Sequence, residues 1–69
     1  MTAFKTNLRD LRKEKKLTQQ QLAELAAISR DSVKRLERQD QKNPSYSAMY
    51  FIARYFQQPV ESIFWFEET

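Results

Sequence analysis

The residues with the clearest potential for chemistry form a short basic segment, residues 30–38. Its cations are Arg30, Lys34, Arg35 and Arg38. Arginine can donate two parallel hydrogen bonds to O6 and N7 of guanine, so Arg30 and Arg35, with Ser32 beside them, could serve as the main readers of bases if the partner is DNA. Asp31 either accepts from a cytosine amino group or orients Arg30 or Arg35 from the first turn of a helix. We favour the second role, because an unpaired carboxylate repels phosphates.

Enzymatic chemistry has few candidate residues in this chain. Histidine, cysteine and glycine are absent from the sequence. Their absence removes the usual general base, the thiol nucleophile, the common zinc ligands and the glycine-rich phosphate loops. The carboxylates are scattered among lysines and arginines, as on a solvated helix face. We therefore expect no catalytic residue, no metal and no cofactor, and no small-molecule ligand is evident.

The charges are unevenly distributed along the chain, which has a net charge of +3. Residues 1–42 hold eleven lysines and arginines against six acidic residues, whereas residues 43–69 hold one arginine against three glutamates. A basic face on a small domain indicates a polyanion such as nucleic acid as partner. A solvated surface without any partner fits the charge equally well, so other features have to decide.

The length of 69 residues and the apolar share of 41% indicate one small globular domain over residues 1–69. No apolar run approaches the ~20 residues of a membrane span, and the first residues lack an apolar signal core. We therefore expect a cytoplasmic protein without a membrane partner.

Five short helices are predicted to position the basic segment. The first covers about Lys5–Lys15. The second follows Thr18, whose hydroxyl and the side chain of Gln21 can form a capping box. The third begins after Ser29, which is a good N-cap, and Asp31 in its first turn suits the helix dipole.

The fourth predicted helix covers about Tyr46–Phe56 after Ser45 as N-cap, and the fifth begins after Pro59. The tail Phe64–Phe66 is rich in residues that favour strands and could pair with an extended stretch at Thr2–Lys5. The apolar residues expected to face the core of helices two to five are Leu22, Ala23, Leu25, Ala26, Val33, Leu36, Met49, Ile52, Ala53, Phe56, Val60, Ile63 and Phe64.

The stretch Leu22–Glu37 could form either one continuous helix or two helices joined by a tight hinge. Such a hinge usually needs a residue with φ above zero, which glycine adopts at low cost, and this chain has no glycine. Ser29 favours a second helix start, and Val33 and Leu36 need the bend to reach the core. We therefore predict two helices.

The segments "LTQQQLAELAAISRDSVKRLE", "NPS", "IARYF" and "VESIF" resemble the Cro/lambda-repressor (XRE-type) family of helix-turn-helix DNA-binding domains. The resemblance covers residues 8–64, with the helix-turn-helix motif at residues 19–38. It implies an all-α, five-helix lambda-repressor-like bundle that binds double-stranded operator DNA, usually as a homodimer. The short stand-alone members, similar to the cytolysin repressor, add a small two-stranded antiparallel pair formed by the two termini.

The resemblance also implies roles for individual residues. Base contacts fall on Arg30, Asp31, Ser32 and Arg35. Phosphate contacts fall on Thr18, Gln19, Lys34, Arg38, Lys42, Asn43 and Ser45. Arg12 and Glu37 match a pair that links the first helix to the end of the third, and we favour a partly buried structural pair over a weak surface pair. Surplus apolar surface on the last helix, with the preceding loop nearby in this fold, predicts a dimer interface at Asn43, Pro44, Val60 and Ile63. Further candidates for it are Tyr50, Phe51, Tyr55 and Trp65, but an aromatic stripe at helical spacing is more often core packing than partner surface.

The sequence departs from the family at three positions where glycine is common, which are Ala27, Gln39 and Gln57. Alanine in the left-handed region costs about 1–2 kcal/mol, which a packed bundle can absorb. We therefore predict that Ala27 has φ above zero and that the hinge persists without glycine.

These features together predict a sequence-specific DNA-binding transcriptional regulator. The expected form is a homodimeric repressor that reads a pseudo-palindromic operator through its third helix in the major groove. An antitoxin-type or phage-type regulator is an alternative within the same class. A helical protein-interaction module that keeps the fold without binding DNA is the alternative from a different class.

Overall fold

A computed structural model describes residues 1–39 and 41–68 of the chain. In chain order its elements are β1 (Thr2–Thr6), α1 (Leu8–Glu14), α2 (Gln19–Ala26), α3 (Arg30–Leu36), α4 (Tyr46–Phe56), α5 (Val60–Ile63) and β2 (Phe64–Glu68). The five predicted helices are present. The all-α description is incomplete, because a two-stranded sheet joins the two ends of the chain.

The two strands pair antiparallel, from Thr2 opposite Glu68 to Thr6 opposite Phe64. The predicted strand pair is therefore confirmed, and it extends further than Thr2–Lys5. The first helix begins at Leu8, so the predicted start at Lys5 is wrong. The reason is that β2 pairs with the backbone of β1, and the Thr6 hydroxyl then accepts a hydrogen bond from the Leu8 amide at 3.0 Å.

One hydrophobic core holds the helices and the sheet together. Its buried residues are Phe4, Leu8, Leu22, Ala23, Ala26, Val33, Leu36, Ala48, Met49, Ile52, Ala53, Ile63 and Phe64. The periodicity predicts Leu25 in this core as well, but its side chain is 54% exposed. Successive helical residues are rotated by about 100°, which places Leu22, Ala26 and Ala23 on one arc and Leu25 outside it.

The hinge between α2 and α3 is built without glycine. Ala27 has φ 61° and ψ 39°, in the left-handed region, as predicted. The Ile28 amide donates to the Ala23 carbonyl at 3.0 Å, and the Ala27 amide donates to the Glu24 carbonyl at 3.3 Å. These two bonds form the Schellman arrangement, which satisfies carbonyls at the end of a helix. The segment is therefore two helices.

The same helix ending recurs after α4. Gln57 has φ 56°, and the Gln58 amide donates to the Ala53 carbonyl at 3.1 Å. A third residue with positive φ is Lys16, at 57°, which the sequence did not predict. Gln39, the remaining position where the family commonly has glycine, is not among the residues with positive φ in the described part of the chain. Within that part, no helix is long and apolar enough to cross a membrane.

Candidate nucleic-acid interface

Helix α3 is anchored by two apolar side chains and leaves its cations outward. Val33 is 0% and Leu36 is 2% exposed, and both lie in the core. Ser29 starts the helix, because its hydroxyl accepts a hydrogen bond from the Ser32 amide at 3.1 Å. All four cations of the basic segment have exposed side chains, which are those of Arg30, Lys34, Arg35 and Arg38. The guanidinium groups of α3 are therefore accessible to a ligand.

Two of the predicted base-contacting residues interact with each other. The Nε of Arg35 lies 2.9 Å from Oδ2 of Asp31, one helical turn away, and the two side chains are 68% and 65% exposed. Of the two roles considered for Asp31, this contact matches the orientation of Arg35. Ser32 is half-buried, and its hydroxyl lies 2.9 Å from that of Ser29.

Three helices meet at the carboxylate of Glu37, the residue after α3. Arg12 of α1 donates from Nε to Oε2 at 2.6 Å and from Nη2 to Oε1 at 3.2 Å. Gln19, the first residue of α2, donates from Nε2 to Oε1 at 3.1 Å. Arg12 also donates to the Leu17 carbonyl at 2.8 Å. The Arg12 and Glu37 side chains are 12% and 7% exposed, so the predicted structural pair is present and largely buried.

Electrostatics keep the Arg12 guanidinium of this cluster charged. The hydrogen bond to Glu37 raises the pKa of Arg12 above its ordinary value, the carboxylate charge adds to the rise, and burial opposes it. The guanidinium therefore stays protonated throughout the pH range in which DNA binding is measured. The end of α3 is thus joined to α1 and to the start of α2 by charge-assisted hydrogen bonds, which are stronger than neutral ones.

The start of α2 offers polar groups to a ligand. The Thr18 hydroxyl accepts from the Gln21 amide at 3.0 Å, and the Gln21 side chain accepts from the Thr18 amide at 2.9 Å. The predicted capping box is therefore confirmed. The Thr18 hydroxyl hydrogen remains available as a donor, and Gln19 has a second amide hydrogen besides the one donated to Glu37.

The loop before α4 lies beside the side of α3 that carries the predicted base contacts. Asn43 and Ser45 line a cleft of about 140 Å³ together with Asp31, Ser32 and Arg35. The structure therefore brings two of the predicted phosphate contacts next to three of the predicted base contacts. Lys42 lines a different cleft, with residues of β1 and with Phe66.

The predicted dimer contacts are only partly accessible. Asn43 is exposed, and Pro44 and Val60 are half-buried. Ile63 is 0% exposed, so its side chain cannot contact a second copy and this part of the prediction is wrong. The reason is that the short α5 turns Ile63 into the core before β2 begins.

A cleft of about 400 Å³ lies between α4 and α5, and it includes a residue that sequence reasoning missed. Its lining residues are Tyr46, Tyr50, Ala53, Arg54, Gln58, Pro59, Val60 and Glu61. Tyr46 and Tyr50 are 67% and 48% exposed. The signal for Tyr46 was its position four residues before Tyr50, which places both rings on one helix face.

The other aromatic candidates are tied to their own chain. Phe51 is half-buried, with its ring centroid 5.7 Å from that of Tyr50. Tyr55 packs against Phe56 at 5.0 Å between ring centroids, and the Lys15 ammonium lies 6.0 Å from the Tyr55 ring. Trp65 is half-buried and donates to the Glu67 carboxylate at 3.2 Å. Over residues 1–39 and 41–68, no group of three or more acidic side chains could hold a metal ion.

Comparison with known proteins identifies the same helix-turn-helix arrangement that α2, the hinge and α3 form. The model of a family described as helix-turn-helix matches residues 8–63. The chain is also 34% identical over 65 residues to an uncharacterized HTH-type transcriptional regulator of Archaeoglobus fulgidus, covering 94% of this chain and 90% of that relative. The matched region contains α1 to α5 and the hinge.

Proposed function

This chain belongs to the XRE-type helix-turn-helix family, and we propose that it is a transcriptional regulator that binds double-stranded DNA through α3. The observation that carries the proposal is the exposed row of cations on a helix that is anchored by Val33 and Leu36 and separated from α2 by the Ala27 hinge. The major groove is about 12 Å wide and admits one such helix.

In the proposed complex, contacts with phosphates position the domain and contacts with bases specify the sequence. Arg30 and Arg35 donate to guanines from the first two turns of α3, with Asp31 and Ser32 beside them. The phosphate contacts are Thr18, Gln19, Lys34, Arg38, Lys42, Asn43 and Ser45. Arg35, Asn43 and Ser45 line one cleft. This supports the assignment of Asn43 and Ser45 to phosphates, because their polar side chains lie at the edge of the surface proposed to face the bases.

We further propose that the protein acts as a homodimeric repressor on a pseudo-palindromic operator. Two recognition helices about 34 Å apart would enter successive major grooves on one face of the duplex. The exposed rings of Tyr46 and Tyr50 beside Val60 supply apolar surface for the dimer. Repression then follows from occupation of the operator, without a cofactor.

The experiment for this proposal begins with selection of binding sites from random duplex DNA. On the selected site, Arg30→Ala and Arg35→Ala should each weaken binding by about 1–3 kcal/mol, since each removes one bidentate contact with guanine. Arg9→Ala, an exposed arginine of α1, is the matched control and should bind almost as the parent does. If both α3 variants bind as tightly as the parent, α3 is not the reading helix.

Salt separates DNA binding from a protein-interaction module with the same fold. Neutralising six or more phosphates makes affinity fall by about 10³-fold or more between ~50 and ~200 mM salt. We expect this steep decrease in a fluorescence-anisotropy titration of the selected duplex. A chain that binds no duplex even at the lowest salt would instead be the protein-interaction module.

A further inference from the structure

Asp31 is a negative charge on the surface that the proposed function turns towards DNA. We propose, on the basis of that function, that Asp31 is a specificity-determining positioning residue for Arg35. It holds the Arg35 guanidinium in a guanine-reading orientation and lowers affinity for duplexes that lack the guanine. In this role Asp31 need not touch a base.

The geometry of the ion pair sets which donors of Arg35 remain. Oδ2 of Asp31 lies 2.9 Å from Nε of Arg35, so the side of the guanidinium is occupied by the carboxylate. The two terminal NH₂ groups remain, and they form a fork that can donate to O6 and N7 of one guanine. Both side chains are about two-thirds exposed, and the ion pair therefore limits the motion of a long side chain that core packing does not hold.

The same pair penalises the wrong base. Adenine presents an N6 amino donor where guanine presents the O6 acceptor, so the terminal fork of Arg35 meets a donor and loses one bond. Arg35 can then recover a second acceptor only by turning towards a phosphate, which leaves Asp31 unpaired and facing a polyanion. Repulsion of an incorrect ligand is a recognised source of specificity, because discrimination depends on the difference between two affinities.

Arg30 differs from Arg35 in this respect. The residue four positions after Arg30 is Lys34, and within the described residues Arg30 takes part in no ion pair. Arg30 therefore keeps its full charge and mobility for any nearby acceptor. The two arginines thus have different roles, since Arg30 mainly supplies affinity, whereas Arg35 with Asp31 mainly supplies discrimination.

The test compares two duplexes that differ only at the base pair read by Arg35. That pair is identified as the position at which Arg35→Ala loses its base preference. Asp31→Asn should bind random duplex more tightly than the parent and should lose about five- to tenfold of the preference for guanine, part of the discrimination that one bidentate contact provides. Asp10→Asn, the same change in the first turn of α1, should alter neither quantity.

A double-mutant comparison makes the assignment specific. In the Arg35→Ala background, Asp31→Asn should have no further effect on base preference, because the residue that it positions is gone. Thermal melting checks that each variant is folded, and Asp31→Ser replaces Asp31→Asn if the latter is not. Asp31→Glu should keep part of the preference, since it keeps the charge at a longer reach.

The two proposals fail in different ways. If the parent binds its selected operator and folded Asp31→Asn keeps the full guanine preference, the role of Asp31 is overturned while the proposed function stands. The same holds if Asp31→Asn lowers the preference equally in the Arg35→Ala background. If the parent binds no duplex at all, the proposed function fails and the role of Asp31 fails with it.

Discussion

At residue 27, a β-carbon occupies a backbone conformation that glycine adopts without steric cost. Ala27 has φ 61°, and the helix restarts two residues later at Ser29. Left-handed alanine costs about 1–2 kcal/mol. The bonds that Ala27 and Ile28 donate back to α2 and the burial of Val33 offset this cost. Ala27 is therefore a strained residue in the hinge that sets the orientation of α3.

Ala27→Gly should leave the free energy of unfolding unchanged or raise it by up to about 1 kcal/mol. Relief of the left-handed strain is partly cancelled by the greater freedom of glycine in the unfolded chain, about 0.5–1 kcal/mol. Urea denaturation followed by circular dichroism measures the difference. Ala53→Gly, at a buried helical position of α4, is the control and should destabilise by at least about 1 kcal/mol. A clear loss of stability in Ala27→Gly would contradict the strain argument.

At the scale of elements, Glu37 links α1, α2 and α3 through hydrogen bonds to its carboxylate. Its carboxylate accepts hydrogen bonds from Arg12 of α1 and from Gln19 of α2. A largely buried pair of this kind is weak evidence for net stabilisation, but loss of one partner leaves an uncompensated buried charge. The cluster therefore orients the helices and is costly to break.

Glu37→Gln should lower the free energy of unfolding by about 3 kcal/mol, because the Arg12 guanidinium remains buried without its counter-charge. The corresponding decrease in Tm exceeds about 10 °C for a domain of this size. Differential scanning calorimetry measures the decrease. The control is Glu24→Gln on the exposed side of α2, which should change stability by less than about 0.5 kcal/mol. If Glu37→Gln and Glu24→Gln change the free energy of unfolding equally, the Glu37 cluster contributes no more than an ordinary surface contact.

At the scale of the whole molecule, two surfaces have different properties. The α3 side carries Arg30, Lys34 and Arg35. The cleft between α4 and α5 carries exposed tyrosines, with Arg54 and Glu61 among its lining residues. The sheet presents one more exposed ring, that of Phe66, at 54%. An exposed aromatic cluster beside apolar residues is the usual chemistry of a protein interface. We therefore assign the tyrosine cleft to the proposed dimer.

Tyr50→Ala should raise the dissociation constant of the dimer by about 30-fold, or ~2 kcal/mol, which is typical of an aromatic hot spot. Sedimentation velocity over a range of concentrations measures this constant. Phe66→Ala is the matched control, since it removes an exposed ring from the sheet, and it should leave the constant nearly unchanged. If Phe66→Ala raises the dissociation constant of the dimer and Tyr50→Ala does not, the interface lies on the sheet instead of the cleft between α4 and α5. A parent that is monomeric at high concentration would exclude the dimer.

The starts of α2, α3 and α4 were predictable from the sequence because their determinants are local. Thr18, Ser29 and Ser45 each accept a hydrogen bond from the amide three residues later, and such bonds depend only on residue type and spacing. The periodic placement of Val33 and Leu36 similarly identified the buried side of α3 and hence its exposed cations. The left-handed Ala27 was predicted from the resemblance, because the family commonly has glycine at that hinge position, and Ser29 as a second helix start supported it.

Other features depended on which surfaces come together in space, and only the tertiary structure decided them. Leu25 and Ile63 are both apolar and helical, yet one is 54% and the other 0% exposed. The start of α1 at Leu8 depended on β2, which lies at the other end of the sequence. The sequence by itself determined local hydrogen bonds and periodic faces, because these involve residues three or four apart. The tertiary structure decided burial and added Gln19 to the Arg12–Glu37 pair that the resemblance predicted, because these features require contacts between distant segments.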